Sequence, residues 1–208
     1  MVSEQTTTTE KSGLDKLQGK IFKYRSYTPL PFLALMFMYQ WANVWSIIIG
    51  FFIALAGELI RLWGVSYAGS ETRTTGKVGG TYLVISGPFA YVRNPLYVGN
   101  MLLYTGIGIM SFALFPYLQI IALVFFYLQY RFIVREEEGY LKTAFGHEYE
   151  EYYKNVPRFI PRLTAYKNRN IVQPQFNLKS GLRSERRTLQ AFSVVIVTII
   201  LIRIIRAY

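Results

Sequence analysis

The sequence predicts an all-α, polytopic integral membrane protein with four to five transmembrane helices. Hydrophobic residues occupy 52% of its 208 positions, whereas an average soluble domain has about 45–50%. The excess is concentrated in long apolar runs, which is typical of membrane spans. Two charged segments that contain proline and glycine stand at the ends of these runs: residues 87–99, the first signature, and residues 135–161, the second signature. A simple membrane anchor does not need such segments, so they indicate a polar site at the membrane surface.

The first two apolar runs predict a tight helical hairpin. Residues 30–41 fall short of the roughly 20 residues that cross a bilayer, unless the helix extends back towards Tyr24. Asn43 lies between two tryptophans, as in an interfacial turn within an aromatic belt. Residues 44–63 then predict the second span.

The later runs predict two or three further helices. A loop rich in Gly, Ser and Thr, residues 64–91, precedes the third span at 96–115 and the fourth at 117–134. We expect the fourth helix to continue past Arg135. The last apolar run, 188–202, leaves three alternatives open: it crosses the bilayer, lies in the interface, or packs on a partner.

These runs divide the chain into four parts. Residues 1–26 predict a polar, disordered tail, because residues 1–12 are polar and rich in threonine and contain no apolar run. Residues 27–163 form the membrane core, residues 164–187 a basic linker, and residues 188–208 a C-terminal apolar helix.

The distribution of Lys and Arg predicts the orientation. The net charge is +11, with basic residues dense before Tyr27, between residues 61 and 93, and after Arg131. They are absent from the turns at Asn43 and Pro116. By the positive-inside rule, the N-terminus and both signatures face the cytoplasm, where we expect a cofactor pocket. The positive charge indicates topology and contact with anionic membrane lipid, not nucleic-acid binding.

Cysteine is absent, and His147 is the only histidine. Disulfides, thiol nucleophiles and cysteine-ligated metals are therefore excluded, as is a multi-histidine metal site within one chain. We predict no metal site.

Glu58 and Arg61 are candidate catalytic residues inside the second span. They are three residues apart and share one face of a helix. A charge at the centre of a membrane helix costs roughly 2.5–3.5 kcal/mol on insertion scales, so such residues usually face a polar cavity. The alternatives are a structural ion pair, or an Arg61 side chain that extends to the nearby interface.

Arg93, Asn94 and Pro95 are candidates for binding an anion. Pro95 predicts the start of the third helix, because proline suits the first helical position. Backbone N–H groups at a helix start attract anions, and Arg93 adds a cation. The alternative is an ordinary basic cap at the membrane interface.

The second signature predicts a helical face that carries one carboxylate. Glu138 shares this face with four mostly aromatic residues: Leu141, Phe145, Tyr149 and Tyr152. A carboxylate on such a stripe needs a cationic or N–H partner, and Arg131 and Arg135 lie one or two turns away. The alternative is a solvated acidic turn. We expect His147 to be exposed.

Residue patterns in both signatures resemble those of the isoprenylcysteine carboxyl methyltransferases and the related phospholipid N-methyltransferases. The family motif Arg-His-Pro-x-Tyr-x-Gly corresponds to residues 93–99, Arg-Asn-Pro-Leu-Tyr-Val-Gly. The motif Glu-Glu-x-x-Leu, followed by Phe-Gly-x-x-Tyr-x-x-Tyr and Val-Pro, corresponds to residues 137–157. Residues 57–61, Gly-Glu-Leu-Ile-Arg, also resemble the family. Asn94 replaces the family histidine, so it can donate and accept hydrogen bonds but cannot carry a charge.

The resemblance implies methyl transfer from S-adenosylmethionine to a lipophilic small molecule or lipidated acceptor that enters from the bilayer. It implies that the cofactor is held by residues in or beside the two signatures: Arg93, Asn94, Pro95, Tyr97, Arg131, Glu137 and Glu138. Arg61 and Glu58 would orient the acceptor, which is a carboxylate or a lipid amine. The alternatives are a membrane reductase of the sterol-reductase type, which uses a nicotinamide cofactor, and a non-catalytic relative that binds lipid.

Overall fold

A computed structural model describes residues 24–69 and 83–206, and these residues contain helices but no strand. The expected disordered tail lies outside the described residues except for its last three positions. The helices are α1 Pro29–Met38, α2 Val44–Ala68, α3 Pro95–Ser111, α4 Tyr117–Asn155 and α5 Leu178–Ile205. A short 3₁₀ helix, Gly87–Ala90, precedes α3. The predicted all-α fold is confirmed.

Three of these helices, α2, α4 and α5, are long and apolar enough to cross a membrane. The chain is therefore an integral membrane protein, as predicted. Helix α3 has 17 residues and is about 26 Å long, while α1 has 10 residues and is about 15 Å long. The predicted third span is thus shorter than 96–115, because Phe112 turns into the left-handed region with φ 51° and ends α3.

Glycines at seven-residue spacing bring α2 and α3 together. A β-carbon added at Gly57 would lie 2.5 Å from the carbonyl oxygen of Gly99, and one at Gly106 would lie 2.6 Å from that of Gly50. Only residues without a β-carbon let two helix backbones approach so closely. This close contact places Glu58 and Arg61 of α2 directly beside α3.

Asn43, in the predicted turn, is the N-terminal capping residue of α2. The side chain of Asn43 accepts a hydrogen bond from the backbone N–H of Ser46 at 2.9 Å, and the Ser46 hydroxyl accepts one from the Asn43 N–H at 3.0 Å. This reciprocal capping box satisfies two backbone donors at the start of the helix. The N–H of Trp41 also bonds to the carbonyl of Ser111 at 2.9 Å, so the hairpin turn is attached to the end of α3.

The last helix corrects one prediction. Helix α5 begins at Leu178, inside the segment 164–187 that was expected to be a linker. Asn177 caps it, and its side chain accepts a hydrogen bond from the N–H of Ser180 at 2.9 Å. The first part of this helix was not predicted, because its many charged residues before Thr188 do not form an apolar run.

Helix α5 packs antiparallel along α2. At one end, the N–H of Asn177 bonds to the carbonyl of Ser66 at 2.8 Å. Further along, the Phe192 and Phe51 rings stack with centroids 6.4 Å apart. At the far end, Arg206 donates hydrogen bonds to two carbonyls at the C-terminal end of α1. The last apolar run therefore packs within the bundle of this chain, which none of the three alternatives anticipated, and its helix is long and apolar enough to cross a membrane.

Helix α4 continues past Arg135, as predicted, and breaks at Gly146, where φ is 50°. The face that was predicted to carry Glu138 lies on the C-terminal, polar half of α4, and its side chains are buried or half-buried. Tyr149 and Tyr152 belong to one hydrophobic cluster with Leu83. This half of α4 therefore packs in a hydrophobic cluster of its own, which holds the second signature.

Candidate active site

The two signatures lie against each other. The N–H of Arg93 donates to the carbonyl of Pro157 at 2.9 Å, and the N–H of Arg162 donates to that of Tyr91, also at 2.9 Å. The buried Tyr152 adds a hydrogen bond from its hydroxyl to a carbonyl of the first signature at 2.8 Å. Segments that are 63 to 71 residues apart in sequence are thereby joined by hydrogen bonds to main-chain carbonyls.

Glu138 is the centre of this junction. It is buried, and its Oε1 atom lies 3.2 Å from Nη2 of Arg93 and 3.1 Å from Nε of Arg158. Nη2 of Arg158 contacts the other carboxylate oxygen. The hydrogen bond to Glu138 raises the pKa of Arg158 above its ordinary value. Two guanidinium groups thus balance the cost of burying one carboxylate.

Arg93 is held in one orientation. Its guanidinium carbon lies 3.9 Å from the centre of the Tyr153 ring, and its Nη1 atom donates to the Tyr153 carbonyl at 2.7 Å. Its Nε atom is buried and has no hydrogen-bond partner among the described residues. This N–H group is therefore available to a water molecule, an ion or a ligand.

Asn94 and Pro95 stand at the start of α3. Pro95 is the first helical residue, as predicted. Asn94 occupies the capping position, but its side chain does not cap the helix. Its amide N–H instead donates to the carbonyl of Arg158 at 3.2 Å. Asn94 therefore contributes to the contact between the signatures.

Tyr97 and Glu137 form a second polar pair beside Glu138. The Tyr97 hydroxyl donates to Oε1 of Glu137 at 2.7 Å. The Tyr97 ring lies 4.7 Å from the ring of Tyr130, centre to centre. Arg25 interacts electrostatically with both Tyr97 and Glu137. The pair therefore lies between α3, α4 and the residues that precede α1.

A second cluster lies deeper, around Arg61. Its Nη2 atom is 2.7 Å from Oε2 of Glu185 on α5, and its Nε atom is 3.6 Å from Oε2 of Glu58. Its Nη1 atom donates to the side chain of Asn100 on α3. Glu58 and Glu185 are 2% and 1% exposed. Arg61 thus points into the bundle and forms ion pairs there, and it does not extend to the interface.

Tyrosines connect the two clusters. Tyr130 interacts through its side chain with Asn100 and Tyr104 on one side, and its ring contacts the Tyr97 ring at an angle of 33° on the other. Tyr104 in turn interacts with Arg61. Polar side chains therefore continue from the buried arginine to the Tyr97–Glu137 pair.

One residue that was predicted to bind the cofactor, Arg131, does not contact either cluster. Arg131 is exposed, and so is Arg135. The ion pairs of Glu138 go to Arg93 and Arg158, so the expectation that Arg131 or Arg135 supplies the partner is wrong. His147 is 84% exposed, as predicted.

Sequence analysis missed three contributors: Asn100, Arg158 and Glu185. Arg158 stood within the second signature beside its Val-Pro pair. Glu185 is the only acidic residue after Glu151, and a single acid within a basic segment is a usable signal. Asn100 offered no signal besides a polar residue in an apolar run.

Comparisons with known proteins agree with the two signatures. Residues 45–148, half of the chain, match the family model described as phospholipid methyltransferase. No solved structure matches.

Three curated proteins are similar over part of their length. A cobalt-zinc-cadmium resistance protein of Cupriavidus metallidurans is 37% identical over 51% of this chain and 45% of its own. A nickel-cobalt-cadmium resistance protein of Alcaligenes xylosoxydans xylosoxydans is 29% identical over 62% and 58%. A protein-S-isoprenylcysteine O-methyltransferase of Xenopus laevis is 33% identical over 59% and 43%. The chain spans about half the length of these relatives. Among the described residues, no group of three or more His, Cys, Asp or Glu side chains could hold a metal ion.

Proposed function

Because the chain belongs to the phospholipid methyltransferase family, we propose that it transfers a methyl group from S-adenosylmethionine to a lipophilic acceptor at the cytoplasmic membrane face. The observation that carries this proposal is the junction at Glu138, where Arg93 of the first signature lies 3.2 Å from a carboxylate of the second. The junction lies next to polar side chains that continue into the membrane core, where an acceptor from the bilayer would arrive.

The residues at the junction fit the polar groups of the cofactor. S-adenosylmethionine carries an ammonium, a carboxylate and a ribose with two hydroxyls. The unsatisfied Nε–H of Arg93 suits the carboxylate, while the carboxylates of Glu137 and Glu138 suit the ammonium and the hydroxyls. The side chains proposed to hold it are Arg93, Asn94, Tyr97, Glu137 and Glu138, with Pro95 setting the start of α3. Arg131 is left out of this set because its side chain is exposed and the partners of Glu138 are Arg93 and Arg158.

The protein mainly aligns the reactants and excludes water. When bound, the cofactor supplies an electrophilic methyl group on a sulfonium, so the enzyme has no nucleophile of its own to activate. Arg61 and Glu58 would orient the acceptor. A carboxylate acceptor needs a nearby cation and no base, whereas a protonated amine needs a base, for which Glu58 is the candidate.

The contacts of Arg61 constrain how a carboxylate acceptor or an amine acceptor could bind. Glu185 and Asn100 occupy its two terminal nitrogens. An acceptor carboxylate would compete with these partners or accept from the remaining N–H groups of Arg61, of which Nε–H has no hydrogen-bond partner among the described residues. An amine acceptor would instead find two carboxylates, Glu58 and Glu185, beside the guanidinium.

Methyl transfer can be tested with purified protein in detergent. Membrane lipids and lipidated peptides are incubated with methyl-labelled S-adenosylmethionine, and products are identified by mass spectrometry. We expect label in a lipophilic product with wild-type protein and a strongly reduced amount with Glu138→Gln. Binding of the cofactor without label transfer to any acceptor would favour a non-catalytic relative. Reduction of a lipid with NADPH would favour the reductase alternative.

A further inference from the structure

A cavity of about 450 Å³ lies at the signature end of the bundle, outside the site described above. Trp63 and Tyr67, at the C-terminal end of α2, form one wall. Residues 85–91 and 165–173 contribute the others. None of the side chains proposed to hold the cofactor or the acceptor lines it.

Hydrogen bonds between its walls preform this cavity. The N–H of Tyr166 donates to the carbonyl of Ala90 at 2.9 Å. Gln173 accepts from the N–H of Ile85 at 2.8 Å and donates to the Leu83 carbonyl at 3.0 Å. The two loop segments are therefore fixed relative to each other.

Glycine at position 87 shapes the aromatic wall. Gly87 has φ 60°, and a β-carbon there would lie 2.5 Å from the Tyr67 ring and 3.2 Å from Nε1 of Trp63. Both the backbone conformation and the close approach require glycine. Trp63 and Tyr67 can consequently line the cavity at this position.

The polar groups of the cavity suit an anion. Lys167 and Arg169 both line it, and both are exposed. Neither forms an ion pair with a carboxylate of the described residues. The nearby Glu151 instead accepts a hydrogen bond from the side chain of Asn168, which lies between them in sequence, at 3.3 Å. The hydroxyl oxygen of Ser86 is buried without a hydrogen-bond partner among the described residues. Two cations and an unused hydroxyl match the oxygens of a phosphate.

The opening of the cavity adjoins the lipid-facing surface of α2. Trp63 is 41% exposed, and Leu59, one turn earlier on the same face, is 54% exposed. Tryptophan and tyrosine concentrate at the level of lipid headgroups, and basic pockets there attract anionic lipids. We propose that this cavity binds the phosphate headgroup of an anionic membrane lipid, at a site separate from methyl transfer. A free phosphate would meet the same cations, but the contact with the lipid-facing surface favours a lipid.

Tryptophan fluorescence can test this binding. The substitutions Trp41→Phe and Trp45→Phe leave Trp63 as the only tryptophan. Phosphatidylglycerol brominated near its headgroup is then titrated into the purified protein in detergent, with brominated phosphatidylcholine in parallel. We expect phosphatidylglycerol to quench Trp63 at lower concentration. The double variant Lys167→Gln, Arg169→Gln should raise that concentration about tenfold, because each interfacial cation attracts anionic lipid.

A matched variant controls for net charge. Arg186→Gln with Arg187→Gln removes the same charge from exposed positions of α5 outside the cavity, and it should change the titration less than twofold. Equal quenching by both lipids, or equal titrations for the two double variants, would overturn the proposal. Displacement of the lipid by millimolar inorganic phosphate, or by S-adenosylmethionine, would assign the cavity to a free anion or to the cofactor and would overturn it as well. None of these readouts depends on methyl transfer.

Discussion

Two buried carboxylates flank one arginine in the deep cluster. Glu58 and Glu185 both approach Arg61, and burying charges is tolerated only when they are paired. Glu185 belongs to α5, which lies outside residues 45–148 matched by the family model. The helix therefore adds a charge to the part of the site where we place the acceptor.

Glu185→Gln should separate this role from simple packing. Glutamine retains the shape and one acceptor oxygen but removes the charge that holds Nη2 of Arg61 at 2.7 Å. We expect turnover to fall about tenfold, as for a lost interaction worth about 1.4 kcal/mol, while affinity for S-adenosylmethionine stays within twofold. Glu151→Gln, at an exposed position, is the control. Normal turnover of Glu185→Gln would show that the pair is only structural.

Glu138 and Arg61 should differ in what they support. Glu138→Gln should weaken cofactor binding by about 1.5–3 kcal/mol, the range for a hydrogen bond to a charged group. Arg61→Ala should leave that binding nearly intact and reduce turnover at saturating cofactor. Parallel calorimetry and transfer assays distinguish the two. If Glu138→Gln binds the cofactor normally, the cofactor site must be placed around Arg93 and Tyr97 instead.

At the level of elements, the glycine contacts between α2 and α3 position the deep cluster. Gly57→Ala would place a β-carbon 2.5 Å from the Gly99 oxygen and 2.7 Å from the Leu103 nitrogen. Both are backbone atoms, so we expect destabilisation of about 1–3 kcal/mol, as for overpacking. In α4, Gly139→Ala meets nothing within 4 Å and should stabilise by roughly 0.5–1 kcal/mol. Unfolding midpoints in mixed micelles provide the measurement; equal effects of the two changes would contradict the close contact.

The direction in which α2 crosses the membrane gives a second prediction at the level of helices. Asn43 caps the start of α2, and Lys167 lies in the cavity beside Trp63 at the other end of that helix. Single cysteines at these positions, in a chain that has none of its own, should therefore label from opposite sides of the membrane. We expect Lys167→Cys to react from the cytoplasm, where basic residues concentrate. Thr75, expected on the same side, lies outside the described residues. Labelling of Lys167→Cys from outside would reverse the proposed orientation.

For the whole molecule, sequence patterns predicted the helices best where one physical signal dominated. Apolar runs predicted the starts of α2 and α4, and the buried face of Glu138 followed from helical spacing. The start of α5 did not follow, because charges that point away from the bundle mask the helix. Glu185 and Arg158 were missed as partners for a different reason: Glu185 is 124 residues from Arg61, and Arg158 is 20 residues from Glu138, beyond the end of the helix that contains Glu138. The spacing of residues along one helix carries no information about either contact.

Ligand-dependent stability tests the cofactor assignment on the intact protein. A ligand that binds only the folded state raises the free energy of unfolding, by about 2.7 kcal/mol when its free concentration is 100 times its Kd. The junction offers an unused N–H of Arg93 beside the carboxylates of Glu137 and Glu138, a mixed set that suits an amino-acid group better than the phosphates of a dinucleotide. S-adenosylmethionine and its demethylated product should therefore raise the unfolding temperature, whereas NADPH should not. Since Glu138→Gln weakens the same contacts, it should reduce the shift. The opposite order of ligands would assign the site to a nicotinamide cofactor.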